Sequence, residues 1–252
     1  MKNHRFELIG NKLPNGRVLF AAADSKYFLK FGPALIQSCI DFDQPLHLHL
    51  INQTEDAAHL KTLVTDNYPT ISFTSESVDL SGTDERTYYA CNRFIVGYQV
   101  LNQCDAAMIL DIDNFLMNEV QWHTEDIGLF LRDPLPGTVG WEQESTHVAA
   151  GIVSFTSTKG KEYLKDVSSQ IKSYSNLQWF ADQNALWKVY KKNKDYLSTF
   201  VYNNSIMDWE FKPDTMLWTG KGPRKYDDPT YVSKDKELKE RLNESLHIKT
   251  KT

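Results

Sequence analysis

Cysteine is scarce in this chain of 252 residues, and the three present, Cys39, Cys91 and Cys104, are widely spaced with no CxxC pair. That argues against a disulfide framework or a zinc knuckle and fits reduced thiols in a cytoplasmic compartment. No apolar run approaches the roughly 20 residues of a membrane-spanning helix. The opening MKNHRFELIGNKLPNGR lacks the apolar centre of a secretory signal. The expected location is therefore the cytoplasm, where any membrane-linked substrate would be met from the cytosolic side. Basic residues are not in surplus: the net charge is -5, which speaks against a general nucleic-acid binder. Internal repeats, low-complexity tracts, linkers, a GxSxG nucleophile elbow and a Walker phosphate loop are all missing.

What is present is a soluble globular composition, 41% hydrophobic and 24% charged. A chain of this length buries most of its unfolded surface without a covalent staple. Short apolar runs alternate with helical stretches. Arg17 to Ala23 reads as a buried strand ending at Asp24, followed by a helix over Tyr27 to Ile40 that Gly32-Pro33 would start or kink. Strands over Leu46 to Ile51, Ile71 to Val78 and Ala106 to Asp113 alternate with helices over Glu55 to Asn67 and Tyr88 to Leu101. Beyond them, TVGWEQ and VAAGIVSF read as strands, and Gly160 to Ser173 and Phe180 to Lys192 as helices. Short strands are expected within Tyr196 to Thr219. Ser233 offers an N-cap for a last charged helix to Leu246, and Lys249 to Thr252 should fray. The alternation predicts α/β architecture, a mostly parallel central sheet with helices on both faces. In such sheets ligands gather beyond the carboxyl ends of the strands. Asp24 and Asp111 to Asp113 fall at two such ends.

The sequence MILDID places Asp111 and Asp113 two residues apart, on one side of an extended chain, so both carboxylates can meet one oxygen-coordinated cation such as Mn²⁺ or Mg²⁺. An ordinary strand end running into a turn explains the same residues. Asp41-Phe42-Asp43 is a second DxD, but it follows a helix and precedes Gln44-Pro45, so it reads as a solvated turn. His47 and His49 share one face of a strand, where a metal pair competes with the commoner partly exposed strand histidine. Lys221, Gly222, Arg224 and Lys225 form a basic loop that suits phosphate or simply water. Of Trp141, Trp179, Trp187, Trp209 and Trp218, any of which offers a sugar-stacking face, Trp141 beside Glu142 stands out because it follows a predicted strand near the site.

Five ordered pieces resemble the retaining glycosyltransferases of family 8, the glycogenin and bacterial galactosyltransferase type. They are FAAADSKYF, YYACNRFIVGYQVL with AAMILDIDNFL, AAGIVSFTSTKG, WFADQNAL and WTGKGPRK, spanning roughly residues 17 to 225. The resemblance implies a Rossmann-like GT-A fold for nucleotide-diphospho-sugar transfer. It also implies one domain over 1–252: a nucleotide-binding half to 120, a sugar and acceptor half over 121–225, and a tail over 226–252. Ala22, Ala23, Asp24 and Tyr27 would line the nucleoside site. Arg93 would lie near the donor phosphates or sugar. Asp111 and Asp113, with Ile112 between them, would hold Mn²⁺ or Mg²⁺. Asp182 and Gln183 would face the transferred sugar, and Gly222 and Lys225 would close over the pyrophosphate.

The implied donor is a UDP-sugar and the implied partner a glycan, lipid-linked or protein acceptor. Two positions depart from the family pattern. Thr219 stands where its third metal ligand, a histidine, is expected, and Ala149 stands where an asparagine precedes the turn Gly151. An inverting enzyme using Glu142 or Glu144 as base, or a nucleotide-sugar-binding protein without turnover, are the competing readings.

Overall fold

The computed structural model describes residues 9–10 and 15–249; the readings of the N-terminal stretch and of 250–252 lie largely outside the described residues. A two-residue strand β1 (Ile9–Gly10) precedes β2 (Arg17–Asp24), α1 (Ser25–Asp41), β3 (Leu46–Ile51), α2 (Glu55–Asn67), β4 (Ile71–Glu76), α3 (Glu85–Ile95), α4 (Gly97–Val100) and β5 (Ala106–Leu110). There follow β6 (Asn114–Leu116), β7 (Ile127–Leu131), α5 (Gly140–Ser145), β8 (Val148–Phe155), α6 (Thr158–Lys172) and α7 (Ala181–Asn193). The chain closes with β9 (Thr199–Val201), β10 (Met207–Asp208), β11 (Leu217–Thr219), α8 (Arg224–Asp227) and α9 (Pro229–Lys249).

Eight strands form one sheet in the order β1-β4-β3-β2-β5-β8-β7-β9, and β10-β11-β6 form a small second sheet. The run β4-β3-β2-β5 is parallel, as is β7 with β9, while β1 and β8 pair antiparallel with their neighbours. From β2 the chain crosses to β3 and β4 on one side, then returns through α3 and α4 to β5 on the other. The switch in direction opens a crevice at the carboxyl ends of β2 and β5.

Alternation along each strand feeds two cores. Leu19, Ala21 and Ala23 of β2 face one apolar layer with α1 and α9, whereas Val18, Phe20 and Ala22 face the other with α3, α6 and α7. Each fully buried Leu or Phe contributes about 1.5–3 kcal/mol relative to exposure. The C-terminal helix is bound to the body: Arg241 donates two hydrogen bonds to Asp41, at 2.9 and 2.6 Å, and Tyr68 donates to Ser245 at 2.7 Å.

Several expectations need correction. TVGWEQ is not a strand, because Gly137 and Gly140 adopt positive φ, 85° and 57°, which breaks an extended run and starts α5. The long helix expected over Tyr88 to Leu101 begins earlier and breaks at Val96. The strand expected to reach Asp113 stops at Leu110, so Asp111, Ile112 and Asp113 form a turn closed by the Asn114 amide donating to the Asp111 carbonyl. Ser233 lies inside α9 rather than capping it, because Pro229 already supplies the preset φ of a first helical turn, and Lys249 is still helical. Asp41 is held by Gln37 and Arg241 instead of pointing freely into solvent.

His47 and His49 are wholly buried rather than partly exposed. His47 bonds Ser72 at 2.8 Å and Thr74 at 3.0 Å, and His49 bonds Thr74 at 2.8 Å, a polar ladder between β3 and β4. It continues to Glu76, which accepts from Tyr88 at 3.0 Å and Asn92 at 2.5 Å. Burial, with His49 beside it, lowers the His47 pKa to about 3, so the ring is neutral. Among the described residues no three His, Cys, Asp or Glu side chains gather as metal ligands.

Candidate active site

The crevice between β2 and β5 is lined from four directions. Ala22 and Ala23 bring little side-chain bulk to the last residues of β2 before its end at Asp24, whose carboxylate accepts from the Tyr27 amide at 2.7 Å, capping α1. This capping bond explains why an acid stands at that strand end and fixes its orientation.

Arg93 projects from α3 and is buried. One guanidinium nitrogen donates to Asp111 and another to Asp182 at 3.0 Å, while Nε donates to the Ala90 carbonyl at 3.1 Å. A buried guanidinium is tolerable only when paired in this way. The result is a bridge from the Asp111–Asp113 turn, through α3, to the first turn of α7. Desolvation raises the Asp111 carboxyl to about 6, with Asp113 and Asp182 adding to the rise and Arg93 and Lys225 opposing it.

Lys225 approaches from α8. Its ammonium donates to Asp113 at 2.6 Å and lies over the Tyr27 ring at 5.1 Å. Burial disfavours the ammonium, but Asp113 and the Tyr27 hydroxyl hold its pKa above the usual lysine range. Burial, with Tyr226 and Asp113 adding, pushes the Tyr27 hydroxyl up to about 12 despite Lys225. The loop that delivers Lys225 turns at Gly222, φ 61°, with no atom within 4 Å of where a Cβ would stand. The demand there is conformational, not steric.

Thr219 ends β11 opposite Asn114, one residue beyond Asp113, and the Gly220 amide donates to the Asp113 carbonyl at 3.2 Å. Tyr231 of α9 donates to the same carbonyl at 2.6 Å. The turn is thus fixed by β11 and α9 together. Ala149 sits in β8 against Phe130, and Gly151 lies beside the turn, where a Cβ would come within 3.2 Å of an Asp111 carboxylate oxygen.

Asp182 and Gln183 open α7, whose cap, Phe180, is left-handed at φ 68°. Asp182 is buried and also accepts from the Gln183 amide at 2.8 Å. The Gln183 side-chain carbonyl accepts from Arg132 at 3.1 Å. The structure therefore joins Arg93, Asp111 and Asp182 in one cluster and Asp113, Lys225 and Tyr27 in another, linked through the turn. Glu144 is engaged by Lys191 at 2.5 Å. Trp141 packs on Tyr174 and donates to the Trp179 carbonyl at 3.3 Å, and Trp187 stacks on His147. Trp218 is buried against Phe115 and Phe211.

Three site residues were missed in the sequence. Asn114 follows the DID directly; its amide nitrogen donates to the Gly151 carbonyl at 2.9 Å, and its buried Oδ1 has no hydrogen-bond partner among the described residues. Its position directly after the acid pair was the available signal. Arg132 and Tyr231 gave no signal, since neither stands in a motif and only the tertiary structure brings them to Gln183 and Asp113.

Asp111 and Asp113 bring two carboxylates to the turn and Asn114 an orphaned amide oxygen, the oxygen donors that hard divalent cations take. The two carboxylates are matched here by two protein cations, Arg93 and Lys225.

No protein-family model and no curated protein sequence matches the chain. Solved structures do. An active-site mutant of LgtC matches with a TM-score of 0.62 at 13% identity, covering 89% of this chain and 95% of that one. The galactosyltransferase LgtC in complex with donor and acceptor sugar analogues matches with a TM-score of 0.56 at 14% identity, covering 92% and 95%. The chain has a GT-A fold. A third match, the apo structure of the bifunctional glycosyltransferase WbbM, has a TM-score of 0.58 at 12% identity and covers 92% of this chain but 51% of that one. In this GT-A chain the crevice at the switch point is where the acid turn, Arg93 and the start of α7 meet. No helix among the described residues is long and apolar enough to cross a membrane.

Proposed function

We propose that this protein is a glycosyltransferase that moves a sugar from a nucleotide-sugar, a UDP-sugar, to an acceptor hydroxyl, assisted by a divalent cation and with retention at the anomeric carbon. The observation that carries the reading is the Arg93 bridge: one buried guanidinium ties the acid turn to the Asp182-Gln183 start of α7, inside a GT-A fold. A merely structural salt bridge needs one carboxylate. Two on different elements, at the mouth of the switch-point crevice, make a rigid frame around a polar ligand.

Asp111 and Asp113 would hold Mn²⁺ or Mg²⁺, with the Asn114 carbonyl or Thr219 hydroxyl available beside them; when bound, the ion supplies positive charge for the departing diphosphate. Ala22, Ala23 and Asp24 receive the nucleoside at the end of β2. Lys225, pinned between Asp113 and the Tyr27 ring, stands where its ammonium can meet diphosphate oxygens, and Gly222 lets the loop backbone approach them. Asp182 and Gln183 face the transferred sugar. The Gln183 carbonyl is oriented by Arg132, so its dipole is fixed before substrate arrives, which makes stabilisation of developing charge effective. The resemblance of the ordered motifs to family 8 is what supports retention.

The pairing of both acids with protein cations favours a second reading, a nucleotide-sugar-binding protein without turnover. One experiment separates them: a screen of nucleotide-sugars for Mn²⁺-dependent UDP release, followed by the anomeric configuration of the product. Metal-dependent release with a retained anomer supports the transferase. Tight UDP binding without release supports the binding protein.

A further inference from the structure

Lys221 and Arg224, beside Trp209, are not used by the chemistry above, and Arg132 serves there only to orient Gln183. Arg132, directly after β7, donates through Nη2 to Gln183 at 3.1 Å and through Nε to the Thr146 carbonyl. Lys221 places its ammonium over the Trp209 ring, 4.2 Å from the centroid. Arg224 donates to the Trp209 carbonyl at 2.7 Å, and the indole leans on Phe130 of β7 at 5.5 Å. Trp209 thus fixes Lys221 beside β7, the strand that Arg132 directly follows.

These groups repel one another: burial first, then Arg132 and Arg224, lowers the Lys221 pKa. Among the described residues neither Arg132 nor Lys221 forms an ion pair with a carboxylate, in contrast to Lys225 on Asp113 and Arg93 on Asp111 and Asp182. Arg132 is partly buried and Lys221 stands on an exposed loop; like charges placed near each other without a carboxylate partner repel, and an anion bound to both relieves that repulsion. The donor diphosphate is an awkward candidate for that anion, because Lys225 already serves its end of the crevice. Lys221 lies over Trp209 instead, and Arg132 is tied to Gln183, the residue expected at the transferred sugar.

We propose that Arg132 and Lys221, the latter positioned by Trp209, form an acceptor subsite for a sugar carrying an anionic group, a carboxylate or a phosphate. The inference rests on the transferase reading of the same crevice and names its acceptor class. A charged group there would receive charge-assisted hydrogen bonds from both cations, and a neutral sugar would leave them unpaired, which is the stronger source of discrimination.

The test is calorimetry of full-length protein, with and without UDP and Mn²⁺, against three probes: methyl glucuronide, glucose 6-phosphate and neutral methyl glucoside. At least one anionic probe should bind about tenfold or more tightly than the neutral one, less so at high salt. The stronger of the two anionic probes identifies carboxylate or phosphate. Lys221→Gln, on an exposed loop, should abolish the preference while UDP affinity stays within about twofold, and Arg132→Lys should weaken it. Equal binding of all three probes, or no binding of either anionic one, overturns the proposal. So does a Lys221→Gln protein that loses UDP affinity but keeps the preference, which would assign these cations to the diphosphate. Absence of UDP binding to wild type would sink the transferase reading instead, while the preference measured without UDP still decides the subsite.

Discussion

Lys225 and Asp113, 112 residues apart in the chain, lie 2.6 Å apart in the crevice. The lysine therefore takes the oxygen that a divalent cation would need, and the same ammonium is placed to meet a diphosphate. Lys225→Gln should separate these roles. Mn²⁺ affinity without nucleotide should hold or rise, because a competing charge is gone, while UDP affinity should fall by about tenfold, the value of one charge-assisted contact. Calorimetry with each ligand in turn checks this. A fall in Mn²⁺ affinity would mean that Lys225 supports the acid turn rather than competing with a metal.

Asp111→Asn and Asp113→Asn should each remove most Mn²⁺-dependent donor binding, since each loses a charged oxygen. Asp41→Asn and Asp43→Asn should leave it intact. Asp41→Asn should instead lower stability modestly, by about 1 kcal/mol, because it weakens the two-bond contact to Arg241 between α1 and α9. Equal loss of metal-dependent binding in both pairs would displace the metal from residues 111–113.

Thr219→His should strengthen Mn²⁺ binding, because imidazole is a better ligand than a hydroxyl and the position lies directly beside the acid turn. Titration of the metal-free protein measures it. Unchanged affinity would show that the side chain at 219 does not reach the ion.

His47 makes stability depend on acid. Its folded pKa of about 3 lies below the ordinary 6.5. Above pH 6.5 the ring is neutral in both states and its stabilising contribution is complete. As the pH falls from 6.5 toward 3 only the unfolded chain takes up the proton, so stability drops, at most about 1.4 kcal/mol per pH unit. His47→Asn should be less stable at pH 7 but show a shallower decline between pH 6.5 and 4.5 in urea unfolding. An unchanged slope would mean the ladder with Ser72 and Thr74 is already open to protons.

Much of this architecture was legible because the strands are short, apolar and followed by acids or helix signals. β2, β3 and β5 each begin where the apolar pattern begins. What local pattern missed came from longer-range causes. The DID run is a turn rather than strand because Asn114 leaves to pair with Thr219 in a second sheet, a contact about 100 residues away. His47 and His49 gave the alternation of a half-exposed strand, yet β4 and α3 supply hydroxyls and a carboxylate that make full burial affordable. Arg132 carries no motif at all; only the tertiary structure, with β7 paired to β8 and α7 packed on β8, places it on Gln183. The acid turn, Arg93 and the Asp182-Gln183 pair were readable from ordered motifs, whereas their union through one guanidinium needed the tertiary structure.

The central claim is that α7 addresses the transferred sugar and not the nucleotide. Contacts made mainly in the transition state lower turnover when lost and barely change ground-state binding. The direct measurement is UDP calorimetry and UDP-sugar turnover on one preparation of Gln183→Ala. The account predicts UDP affinity within about twofold of wild type and turnover reduced ~10- to 1000-fold, the range for one lost stabilising contact. Full turnover in that variant would contradict it and remove α7 from the active site.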